Sequence, residues 1–102
     1  MTDRELLELA AKAAGIEISS WSIYGAYVGG LEGEVWNPLT DDGDALRLAV
    51  KRSISVDPRS DAVVAIAEDG KYLAMEIGVG DSLVVATRRA IVRVAAAIGA
   101  SK

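Results

Sequence analysis

The chain has 102 residues, 51% hydrophobic and 25% charged, with a formal net charge of -4; that length holds one domain, residues 1–102, and that balance argues against disorder. It contains neither cysteine nor histidine, which removes disulfides, thiolate chemistry, histidine-ligated zinc and histidine-activated nucleophiles. The mild acidity disfavours non-specific nucleic-acid binding, and with no phenylalanine and much alanine the core is expected to be light.

Thr2 and Glu5 have the spacing of a capping box, and Leu6, Leu7, Ala10, Ala13 and Ala14 follow on one helical face before Gly15 offers a stop. The opening MTDRELLELA lacks the basic region and apolar run of a secretory signal. No apolar stretch is expected to span a membrane, the last helix being broken by Arg88, Arg89 and Arg93. A cytoplasmic location is therefore expected.

Residues 20 to 36 read as two strands joined at Gly29-Gly30, a pair suited to the positive φ angles of a tight turn. Counting outward opposes Val28 with Leu31, Ala26 with Gly33 and Tyr24 with Val35, and sets Tyr27 with Glu32 and Ile23 with Trp36 on the other face. If Trp21 shares that second face, then Trp21, Ile23, Tyr27 and Trp36 form an apolar patch, the expected protein interface.

Asp41 or Asp42 opens a second helix running to about residue 53, and Ile54 with Val56 forms a short strand at best. Asp69-Gly70 is the strongest hairpin signal, joining residues 62–68 to residues 71–77. Counting outward pairs Ile66 with Leu73, Val64 with Met75 and Ala62 with Ile77 on a strongly apolar face. The opposite face carries Ala67 with Tyr72, Ala65 with Ala74 and Val63 with Glu76, groups small enough for a closely packed helix or for partial solvation. After residues 78 to 81 a third helix is expected to run to about Ile98 and end at Gly99, with Val84, Thr87, Ile91, Val94, Ala95 and Ile98 inward.

The expected fold is α+β, a mainly antiparallel sheet of two hairpins with three helices packed on it, in an α/β/α sandwich if both faces are covered. Leu7-x-Leu9-Ala10-x-Lys12 matches Leu46-x-Leu48-Ala49-x-Lys51 at an offset of 39. Leucine, alanine and lysine are common in any amphipathic helix, so this repeat is weak.

Three clusters invite chemistry. Asp41, Asp42 and Asp44 offer oxygen ligands for a hard cation, but they lack the spacing of an EF-hand, and capping of the second helix accounts for them. GVGD, residues 78 to 81, lies between strand and helix as a phosphate loop would, yet Leu83 replaces the third glycine and Asp81 would repel an anion. Arg88, Arg89 and Arg93 form a basic side that could meet phosphates, or pair with the acidic first helix. No cofactor motif stands out, and no catalytic or metal-binding residue is assigned.

WNPLTDDGDALRLAV (residues 36 to 50), ATRRAIVRVAAAIG (residues 86 to 99) and TDRELLELAAKAAGI (residues 2 to 16) resemble segments of small uncharacterised proteins of tailed bacteriophages and prophages, the group called the phage ABA sandwich domain. That resemblance implies helix, sheet and helix layers, a phage origin and a bacterial cytoplasm; it carries no catalytic residue. The expected function is that of a non-enzymatic accessory protein binding a host factor or a second copy of itself. The alternatives are nucleic-acid association through the three arginines and divalent-metal chemistry at the aspartates.

Overall fold

The computed structural model describes residues 1–29 and 34–101. Three helices and two three-stranded antiparallel sheets follow one another: α1 (Asp3–Ala14), β1 (Ile18–Ser22), β2 (Gly25–Val28), β3 (Glu34–Trp36), α2 (Asp42–Lys51), β4 (Ser55–Pro58), β5 (Ala62–Ile66), β6 (Leu73–Ile77) and α3 (Ser82–Ala100). The fold is α+β, as the sequence implies, with a three-stranded sheet where each hairpin was expected.

Helix α1 is set by its ends. The Thr2 hydroxyl accepts the Glu5 backbone N–H at 3.1 Å, the Glu5 carboxylate accepts the Thr2 N–H at 3.3 Å, and Gly15 closes the helix in the left-handed region at φ 72°. Its Leu6, Leu7, Ala10, Ala11, Ala13 and Ala14 are all buried.

Helix α3 is central. It lies on one face of the β4–β6 sheet, and α1 and α2 pack along it. Ala86, Ala90, Ile91, Val92, Val94, Ala95, Ala96 and Ile98 are buried, an apolar surface wide enough to face several neighbours at once. Gly99 does not end this helix, which continues to Ala100. It lets α1 approach instead, since a Cβ there would lie 1.9 Å from the Leu9 carbonyl oxygen.

The first sheet departs most from expectation. Ile23 and Tyr24 occupy the turn between β1 and β2, so that Trp21 pairs with Ala26 and Ser20 with Tyr27. Gly25 is needed in that turn at φ 137°, where a Cβ would meet the Asn37 side chain and the Trp36 carbonyl, both at 2.8 Å. Between β2 and β3, Ala26 opposes Trp36 and Tyr27 opposes Val35, three residues away from the register counted from Gly29-Gly30. The expected partners Leu31, Glu32 and Gly33 lie outside the described residues.

The second sheet has the expected register: Ile66 with Leu73, Val64 with Met75 and Ala62 with Ile77. Val63, Ala65, Ala67 and Ala74 are buried on the face that meets α3. Small side chains there let the helix backbone come close to the sheet, so the bulkier face is left outward.

Candidate interaction surface

The three aspartates are each occupied within the fold. Asp41 caps α2, its carboxylate accepting the Asp44 backbone N–H at 2.8 Å. Asp42 meets the Arg88 guanidinium at 2.5 Å. Asp44 is 8% exposed and accepts the Asn37 backbone N–H at 2.9 Å and an Arg47 guanidinium N–H at 2.6 Å. Its carboxylate keeps Arg47 protonated still more firmly than an ordinary arginine. Asp44 thus ties the end of the first sheet to the start of α2. Among the described residues no group of three or more acidic side chains is placed to hold a metal ion.

The basic side of α3 is likewise engaged. Arg88 donates through Nε to the Leu39 carbonyl at 2.8 Å besides meeting Asp42. Arg89 reaches Asp3 of α1 at 3.2 Å, and Arg93 bonds the Glu76 carboxylate and the Met75 carbonyl. These arginines fasten α3 to α2, α1 and β6, and phosphates would have to compete with acids already in place. In GVGD, the Ser82 hydroxyl accepts the Val79 N–H at 2.7 Å and donates to the Val79 carbonyl, while the Asp81 side chain makes no cap bond. That segment is a turn closed on itself.

The aromatic patch does not assemble as expected, because the observed register divides it. Trp21, Ala26 and Trp36 share the inner face of the first sheet, with Trp36 buried and the Arg4 guanidinium stacked 4.7 Å from the Trp21 ring. Tyr27 points to the other face with Ser20 and Val35, and Ile23, 91% exposed, stands alone at the turn. The expectation fails because the chain turns at Ile23-Tyr24, inside the first expected strand, and because the β2–β3 register differs from the expected one by three residues, an odd shift that exchanges the faces.

The apolar surface lies on the second sheet instead. On its outer face Leu73 is 62%, Met75 56% and Ile77 79% exposed, beside half-buried Ala62, Val64 and Ile66 on β5. Ser55 and Asp57 on β4 are the polar members of this face. Ile66 also lines a groove of about 920 Å³ between α2, β4, β5 and α3, walled by Leu46, Val50, Val84 and Ile91 and rimmed by the Asp42–Arg88 pair. Exposed apolar residues scattered singly need no explanation, whereas a contiguous run of them on a flat sheet is the usual mark of a docking surface. The sequence contained the signal, since counting from Asp69-Gly70 grouped these side chains correctly. Apolarity alone does not say which of the two faces a helix covers; the small groups of the opposite face are the ones that admit α3.

No helix among the described residues is long and apolar enough to cross a membrane. Set against models of known protein families, curated proteins and solved structures, the chain finds no match.

Proposed function

We propose that this chain is a non-enzymatic accessory protein of a phage or prophage that works by binding protein through the outer face of β4–β6 and the adjoining groove. The observation that carries the reading is the set of exposed apolar side chains Ile77, Met75 and Leu73 on the outer sheet face, with Ile66 both on that face and in the wall of the groove that holds Leu46 and Val50. Burying it against a partner would recover roughly 25 cal/mol for each Å² of apolar area removed from water. The resemblance of residues 36–50 and 86–99 to phage-encoded proteins supports the origin. The internal pairing of Arg88, Arg89 and Arg93, and of all three aspartates, weighs against the nucleic-acid and metal alternatives.

The test is affinity capture from infected host cells with the wild-type chain and Val64→Lys as baits. Val64 sits on the central strand of the exposed face and makes no core contact that a lysine stem could not replace while its ammonium reaches water. A protein recovered by the wild type and lost with Val64→Lys, at unchanged circular dichroism, is the expected result. Equal recovery by both, or no recovery by either, refutes the reading.

A further inference from the structure

The exposed face is small for a specific interface. Three strands about 4.8 Å apart, β4 of four residues and β5 and β6 of five, at about 3.4 Å per residue project at most roughly 15 × 17 Å, against about 800 Å² buried by each partner in a standard complex. We propose that a second copy of this chain enlarges it, by pairing β6 with β6 of the partner copy about a two-fold axis through Met75. The inference rests on the protein-binding reading above and names its first partner.

The backbone pattern makes β6 ready to pair. The Ala67 N–H bonds the Tyr72 carbonyl and the Gly78 N–H bonds the Asp61 carbonyl, so residues 72, 74, 76 and 78 use their backbone groups toward β5. By the alternation of an antiparallel ladder, Leu73, Met75 and Ile77 turn theirs to the free edge. The Arg93 bond to the Met75 carbonyl at 3.3 Å agrees with this parity. A carbonyl has two lone pairs, so a strand can bond beside that guanidinium.

The two edges of the sheet are treated differently. On β4 the ladder turns Val56 and Pro58 outward, and Pro58 has no N–H to offer; the Asp57–Arg59 ion pair stands beside it at 2.9 Å. Proline and charge are how proteins blunt an edge. On β6 the strand's own charge, Glu76, is turned inward and paired with Arg89 and Arg93, and the cation that reaches the edge, Arg93 at the Met75 carbonyl, is held by that same Glu76. The edge is also self-complementary: antiparallel pairing through Met75 sets Leu73 against Ile77 of the other copy, apolar on apolar at every outward position. Each opposed pair exchanges two backbone hydrogen bonds. The axis runs perpendicular to the sheet, so both α3 helices lie on one side and the two apolar faces join on the other into one six-stranded surface.

A cysteine scan tests the pairing, because the chain has no thiol of its own. With Met75→Cys the two thiols meet on the axis, within the span a disulfide bridges. With Leu73→Cys they stand four residues apart, roughly 14 Å, beyond that span. Under mild oxidation Met75→Cys should form a covalent dimer at least tenfold faster than Leu73→Cys, and Leu73→Cys mixed with Ile77→Cys should give the heterodimer. In sedimentation the wild type should be a dimer, and Met75→Pro, which removes an N–H that β5 does not use, a folded monomer. Equal cross-linking rates at positions 73 and 75, or a wild-type monomer at 100 μM or so, overturn the pairing. If that happens while Val64→Lys still abolishes partner capture, the protein-binding reading survives; if Met75→Cys cross-links while Val64→Lys changes nothing, that reading falls and the pairing stands.

Discussion

Replacing Gly99 with alanine probes the contact on which the helical layer depends. A Cβ built there lies 1.9 Å from the Leu9 carbonyl oxygen, 2.8 Å from its carbon and 3.4 Å from the Ala13 nitrogen. Real Cβ atoms do not approach closer than 3.0 Å, so the two helices must separate by more than 1 Å at this point, and the obstacle is backbone with no rotamer to turn aside. A gap of 0.5–1 Å already forfeits about a quarter to a half of the dispersion well, and overpacking costs roughly 1–3 kcal/mol. Alanine regains about 1 kcal/mol of helix propensity over glycine. With the clash at the upper end, Gly99→Ala should lose about 2 kcal/mol, which for a chain of this size lowers Tm by roughly 8–16 °C. Thermal and urea unfolding followed by circular dichroism measure it. An unchanged or raised Tm would refute the close approach of α1 to α3 and return Gly99 to the role its sequence context suggests, a helix terminator.

The ends of α1 and α2 give two further expectations. Asp41→Ala should cost about 1 kcal/mol in urea unfolding through the lost cap on α2; no change would mean that Asp41 does not hold the Asp44 N–H. In α1, hydrogen bonds from the Thr2 backbone N–H and hydroxyl hold the Glu5 carboxylate below its ordinary value of 4.5. A folded-state value lowered in this way contributes stability that is present above the unfolded value and lost as pH falls through the folded one. Glu5→Gln should therefore flatten the acid limb of Tm against pH below about 4.5 and leave its slope near neutrality alone, whereas a parallel downward shift at every pH would contradict the assignment.

What was legible in the sequence was whatever depended on local chemistry. The α1 cap, the α2 cap and the β5–β6 register followed from side chains within a few residues of one another: Thr2 with Glu5, Asp41 with Asp44, Asp69 beside Gly70. The misread parts required knowledge of distant partners. Ile23-Tyr24 is a poor turn pair in isolation, yet the chain turns there, with Gly25 pressed against Asn37 and Trp36. Asn37 secures that choice by donating from its side chain to the Tyr24 carbonyl at 3.0 Å, thirteen residues away. Nor could periodicity decide which face of β5–β6 is inside, since both faces are apolar. The need of α3 for close approach decides it, and that need sits on another element.

The same logic bears on the weak repeat. Asp3 and Asp42 each open a helix, 39 residues apart, and three antiparallel strands follow each helix. At that offset Leu6 corresponds to Ala45 and Ala10 to Ala49, all four buried, while Leu7 and Ala11, buried in α1, correspond to Leu46 and Val50, exposed in α2. The two helices therefore agree on the face that meets the core and differ on the adjoining one. In α1 that second face is covered; in α2 it opens into the groove that Ile66 joins to the outer sheet face. A polar replacement of Leu46 or Val50 would cost the isolated chain little, because water already reaches both. Exposure of Leu46 and Val50 is thus where the two helices differ most, and under the protein-binding proposal these are the side chains that a groove occupant would bury.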